Sequence, residues 1–195
     1  HPLNLPTGAR MVAPSAIAAA GQMWTDQQQM QDFPVPEEMS PADIGDAIAE
    51  FGRAATNAVE AGFDGVELHC TSGYLPMQFL ASNTNLRTDG YGGDATRRAR
   101  FVIETLEALT AAIGAGRVGF RICPGNPFND VFDPDPVDTT RTLLEAVRSL
   151  HCAYLHVIGA PDRALDAFAL ARRHHDTALI INDGFEPASA REAGE

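Results

Sequence analysis

Residues 62–101 read GFDGVELHCTSGYLPMQFLASNTNLRTDGYGGDATRRARF, opening on a short strand-like run, GVELH at 65–69, and closing on a helical pattern that runs from about Asp94 to Ile113. The same strand-then-helix unit repeats on either side. Upstream, Ser40-Pro41-Ala42-Asp43 supplies an N-cap serine with proline at the first helical position. The helix it opens carries an apolar stripe, Ile44, Ile48, Phe51, Ala55 and Val59, and stops at Gly62. Downstream come RVGFRIC at 117–123, a helix over about 137–150, AYLHVIG at 153–159, a helix near 163–174, ALIIND at 178–183 and a further helix opening at Pro187. Strands separated by helices pair in parallel through crossovers, so the pattern predicts an α/β fold with both sheet faces covered. Polar residues mark the strand ends: Glu67 and His69, then Arg121, then Asn182 and Asp183. That edge is where active sites sit in both doubly wound sheets and (β/α)8 barrels. No GxGxxG follows a first strand and no Walker lysine motif is present, which argues against dinucleotide-binding and P-loop folds. A barrel remains, yet a barrel usually needs about 250 residues and eight strands, and only four strands are recognisable here.

Composition bounds the partners. The chain has 195 residues, 45% of them hydrophobic and 21% charged, which is enough apolar material for a core. Fourteen basic against 26 acidic residues give a net charge of −12, so a nucleic-acid backbone or an anionic membrane surface repels it. No apolar run approaches the roughly 18 to 20 residues of a membrane span, and HPLNLPTGAR lacks a signal peptide's basic start, so the expectation is a soluble cytoplasmic protein. Cys70, Cys123 and Cys152 are widely spaced and form no CxxC pair, which signals neither a disulfide framework nor a metal site.

Residues 1–40 are different in kind. Five prolines, a QQQ run and weak periodicity read as an irregular or short-stranded excursion, with the βα units filling 41–195. The segment 124–136, PGNPFNDVFDPDP, is expected to be a long loop over the active face. His69 ends its strand, with Ser72 three and Tyr74 five residues on in a turn that Gly73 permits. Imidazole and phenol side by side suit holding an oxygen atom and passing a proton. Either residue alone is equally at home as a cap or as packing.

The pattern G-F-D-G-V-E-L-H, then G-Y-L, Q-F-L, N-x-R-T-D-x-Y-G-G and R-x-R-F, resembles the Old Yellow Enzyme family of FMN-dependent ene-reductases, in particular the branch with N-ethylmaleimide and xenobiotic reductases. HPxNLPxGxxxVAPSAI at the start, RVGFRICP at 117–124 and LIINDGF at 179–185 resemble it too. The resemblance implies a TIM barrel of which this chain holds about strands four to seven. It also implies FMN as cofactor, NADPH or NADH as reductant and an electrophilic alkene as substrate. Within it, His69 and the residue three positions on, here Ser72, hold the substrate's oxygen in the manner of an oxyanion hole. Tyr74 matches the proton donor to the alkene; a phenol stays protonated at neutral pH. Arg121 matches the arginine at the flavin's pyrimidine edge, and Gly184 the position where the backbone approaches the FMN phosphate.

Two residues depart from the family's pattern. Ser72 stands where His or Asn is usual and donates only one hydrogen bond. Asp183 stands where glycine is common, and a carboxylate facing a phosphate repels it. Arg87, Asp89, Tyr91, Gly92 and Gly93 read as a structural loop. Arg97, Arg98 and Arg100 read as ion pairs on a solvated face, His174 and His175 as a helix end, and His156 as a barrel or interface residue without a carboxylate partner. Phe128 and Phe132 suit either substrate contact or loop packing.

The family's flavin contacts on its first three strands and its phosphate clamp on the eighth find no counterpart here. The expectation is therefore a fragment or half of a longer protein, or else a chain that must dimerise or pair with a missing barrel half. The alternatives to an ene-reductase are a nitrate ester or nitroaromatic reductase, a dienoyl-CoA reductase relative, and a non-catalytic barrel fragment acting as an assembly module.

Overall fold

The computed structural model describes residues 1–191 apart from 163, 183, 187 and 188. Its elements in chain order are β1 (Val12–Ala13), β2 (Gln22–Thr25), β3 (Gln29–Asp32), β4 (Glu37–Glu38), α1 (Pro41–Glu60), β5 (Val66–Cys70), α2 (Leu75–Leu80), α3 (Ala95–Ile113), β6 (Val118–Ile122), α4 (Pro136–Val147), β7 (Tyr154–Ile158), α5 (Ala167–His174) and β8 (Ala178–Asn182). Strands β5, β6, β7 and β8 form one parallel sheet in sequence order.

Sequential order decides where the helices lie. Crossovers of one hand between neighbouring parallel strands deliver every helix to the same face, and α1 packs on α3, α3 on α4 and α4 on α5 as a single layer. The expectation of helices on both faces is thus corrected: shuffled strand order is what places helices on both sides of a doubly wound sheet. Leu68, Phe120 and Leu155 form one buried row towards the helices, and Cys70, Ile122 and Val157 the next. Phe79 of α2 stacks on Phe101 of α3 at 4.2 Å between ring centroids beneath them.

The helix ends follow from local chemistry. The Ser40 hydroxyl accepts from the Asp43 amide at 3.1 Å and the Asp43 carboxylate accepts from the Ser40 amide at 2.8 Å, a complete capping box with Pro41 in the first turn. Arg10 also pairs with Asp43 at 2.6 Å, which together with the Ser40 bonds holds that carboxyl well below the usual range. Asp94 and Asp135 cap α3 and α4 with a single bond each, accepting from the Arg97 and Asp138 amides. Helix α5 starts at Ala167 rather than near 163, because Asp166 accepts from the Ala169 amide at 2.9 Å and sets the first turn there. The short α2 is an addition to the expected pattern. It packs on α3 and β5, so tertiary burial of Pro76, Met77 and Phe79 sustains a helix too short to stand alone. Of the helix expected from Pro187, residues 187, 188 and 192–195 lie outside the described residues.

The first 40 residues hold the antiparallel hairpin β2–β3 and the two-residue parallel pair β1–β4. Arg87 fastens this segment to the βα units. Its buried guanidinium donates to the carbonyls of Pro14 at 2.9 Å and Met39 at 2.6 Å and pairs with Asp89 at 2.6 Å. Among the described residues no helix is long and apolar enough to cross a membrane.

Candidate active site

Alternation along each strand sends every second side chain away from the helices, and the register aligns these residues into rows. One row runs His69, Arg121, His156, Ile180; the row below runs Glu67, Gly119, Tyr154, Ala178. Gly119 is required by its neighbour, since a Cβ there would stand 2.2 Å from the Tyr154 ring. Asn182 closes β8 one step beyond, opposite Ile158.

The turn after β5 brings the predicted pair together. Ser72 and Gly73 both take left-handed backbone, φ +58° and +76°, which folds the chain back over its own strand end. The Tyr74 ring then lies 5.3 Å from the His69 ring, tilted by 59°, with both residues exposed on the sheet's open side. Gly73 is fixed by crowding as well, because a Cβ would meet the Asn129 Cβ at 2.6 Å. Asn129 donates to the Ser72 carbonyl at 2.8 Å, so the 124–136 loop sits directly on this turn. Phe128 and Phe132 on that loop are exposed, and the Phe132 amide donates to Asn83 at 2.8 Å.

Ser72 does not meet His69 directly. The hydroxyl of buried Thr71 stands between them, 2.9 Å from His69 Nε2 and 3.2 Å from Ser72 Oγ. Partial desolvation of the ring first, though the residue as a whole stays exposed, and the Arg121 charge second, push the His69 imidazole below its ordinary value.

Arg121 lies beside His69 in the register and donates from Nη2 to Asn182 Oδ1 at 3.1 Å. Its Nε is buried without a partner among the described residues. His156 is partnered, contrary to the expectation: Nδ1 lies 3.0 Å from Glu67 Oε2 and Nε2 lies 2.8 Å from Asn182 Oδ1. Reading β7 by itself hides this contact, because Glu67 sits 89 residues earlier on a strand two places away. Burial, then the Glu67 charge and a hydrogen bond to it, push the Tyr154 phenol up. The available signal was parity, since Glu67, His69, Arg121, His156 and Asn182 all fall on the same alternate positions of their strands.

Gly184 follows β8 with φ +64° and open space where a Cβ would stand. Asp183 lies outside the described residues. The remaining arginines divide. Arg97 pairs with Asp94 and Arg100 with Glu104 on the surface as expected, but Arg98 is buried and donates to the Leu80 and Gly93 carbonyls and to Thr139. Its ion pair, to Asp133 at 3.6 Å, is buried rather than solvated, so its position on the inner side of α3 makes it a structural clamp.

A family model for the NADH:flavin oxidoreductase / NADH oxidase family matches residues 4–187. This chain belongs to that family. It is 40% identical to a probable flavin mononucleotide-dependent alkene reductase of Leishmania infantum over 202 residues, covering 100% of this chain and 55% of the relative. Among solved structures it is similar to the old yellow enzyme from Trypanosoma cruzi, with a TM-score of 0.91 and 27% identity over 97% of this chain and 55% of that one. It is also similar to morphinone reductase in complex with tetrahydroNAD, with a TM-score of 0.90 and 32% identity over 98% of this chain and 54% of that one. The chain thus spans about half the length of the relatives it matches. The four strands are part of an Old Yellow Enzyme (β/α)8 barrel, whose outer ring is the single helix layer and whose interior is the His69–Arg121–His156 face.

Proposed function

We propose that the protein carrying this chain is an FMN-dependent NAD(P)H oxidoreductase that reduces activated C=C bonds of enones and related electrophiles. The observation that carries the reading is the His69–Tyr74 pair, 5.3 Å apart beside Arg121 on the barrel's inner face. The residues present suit FMN: the buried Arg121 Nε has no partner among the described residues, so the guanidinium keeps a donor for a ligand, and the space where a Gly184 Cβ would stand is open. Arg121 and Gly184 would hold the cofactor, which when bound supplies a hydride. The His69 ring N–H donates to the substrate's carbonyl oxygen, with the Ser72 hydroxyl as a second donor, and so stabilises charge that grows there as the alkene is reduced. Tyr74, at the mouth of the site, delivers the proton to the alpha carbon. The three unpaired cysteines, all buried, support a reducing, cytoplasmic location.

The test begins with the protein expressed from its complete reading frame, desalted after incubation with FMN. A retained flavin band, and enone turnover with NADH or NADPH, are the expected results. Tyr74→Phe should keep the flavin and its reduction by nicotinamide while enone turnover falls by about 10² or more. A colourless protein, or full turnover by the phenylalanine variant, would overturn the reading. Nitro reduction that survives in that variant while enone turnover is lost marks the proton step as Tyr74's.

A further inference from the structure

We infer that Glu67, His156 and Asn182 are positioning residues that present Arg121 to its ligand as an unneutralised cation, with His156 absorbing the Glu67 charge. The inference rests on the reading in which Arg121 meets the flavin, and it deepens that reading.

The donor arithmetic is closed by Arg121. A guanidinium only donates, so the Asn182 atom 3.1 Å from Arg121 Nη2 is the acceptor oxygen and the amide orientation is fixed. His156 Nε2, 2.8 Å from that same oxygen, therefore carries a hydrogen. The other ring nitrogen faces Glu67 Oε2 at 3.0 Å, where two lone pairs would repel, so a second proton lies between them. Whether it rests on nitrogen or on oxygen, the His156–Glu67 pair carries no net charge.

The geometry keeps Arg121 out of that neutralisation. Glu67 and Arg121 are on adjacent strands, close enough in principle to pair, yet among the described residues Arg121 has no carboxylate within ion-pair distance and bonds only to the neutral amide. Its positive charge is held in place without being cancelled, and its buried Nε has no partner among the described residues. An uncancelled cation there favours whichever ligand state is more negative. For a flavin, that is the reduced form.

The reduction potential of the bound flavin reads this directly, apart from turnover. In His156→Leu, Glu67 is released and turns to Arg121, and the preference for reduced over oxidised flavin should fall about tenfold, a drop of about 30 mV for a two-electron couple. Glu67→Gln combined with His156→Leu removes the freed carboxylate and should restore most of the loss. A packing role for His156 predicts no such recovery. Asn182→Asp, nearly isosteric, sets a carboxylate directly against Arg121 and should lower the potential in the same direction, which keeps the test open if His156→Leu fails to fold. A wild-type protein that holds no flavin overturns the flavin reading and this inference with it. Flavin bound at an unchanged potential in Asn182→Asp or His156→Leu, or no recovery in the double variant, overturns the positioning alone.

Discussion

Ser72 combines a left-handed backbone, φ +58°, with a side chain that, among the described residues, hydrogen-bonds only to the Thr71 hydroxyl. Both facts bear on a substitution by asparagine. Asn enters the left-handed region several-fold more readily than most residues, and its amide brings two donors where a hydroxyl brings one. On the proposed reaction, Ser72→Asn should therefore lower the KM for a cyclic enone about fivefold, the worth of one net hydrogen bond of about 1 kcal/mol. Thermal stability should hold or rise. Steady-state kinetics and a melting curve check it, and an unchanged or higher KM would show that the Ser72 position does not face the substrate oxygen. The same bridging by Thr71 shows what spacing does not carry. Three residues separate it from His69, but a buried threonine hydroxyl occupies the ground between them.

The β5–α2 turn is an element held by crowding from outside itself. Gly73 sits at φ +76° with Asn129, the Phe128 carbonyl and Val131 all within 3.3 Å of where a Cβ would stand. Gly73→Ala meets a backbone penalty of about 1–3 kcal/mol before any clash with the loop is counted. It should lower unfolding free energy by at least about 2 kcal/mol and loosen the 124–136 loop, readable as faster amide exchange at 126–132. A denaturant midpoint equal to wild type would contradict it. Elements of this kind divide what could be read beforehand. The strands, the capped helices α1, α3 and α4 and the His69–Tyr74 turn were legible because each depends on residues within a few positions of one another. Helix α2, the fixing of Arg98 and the Glu67–His156 bond were not, since each depends on a surface supplied by another element: α2 rests on β5 and α3, Arg98 on Leu80 18 residues away, and His156 on Glu67 89 residues away. Strand parity held more information than a reading by strand ends extracted from it. Polar residues on one parity of every strand announce a polar barrel interior, whereas a glycine such as Gly119 shows its purpose only once Tyr154 is laid across it.

At the scale of the whole molecule, stability carries a pH dependence that can be signed. His175 closes α5 with its ring buried edge-on to Phe120, 5.5 Å between centroids. Burial pushes its imidazole below the ordinary value of 6.5, so the folded protein holds fewer protons here than the unfolded chain as pH falls through 6.5. The stabilisation is therefore complete above that value and is lost progressively as pH falls towards the lower folded value, with a slope of at most about 1.4 kcal/mol per pH unit for one proton. His69, pushed down in the same direction, adds to the slope. The melting temperature should accordingly fall between pH 7.5 and pH 5.5, above the range where most carboxylates titrate. His175→Leu keeps apolar bulk against Phe120 and removes one titrating ring, so its melting temperature should fall less over the same interval. Equal slopes in the two proteins would place the acid sensitivity elsewhere. A flatter slope in the variant would tie it to the contact between the helix layer and β6, the strand that carries Arg121 on its opposite face.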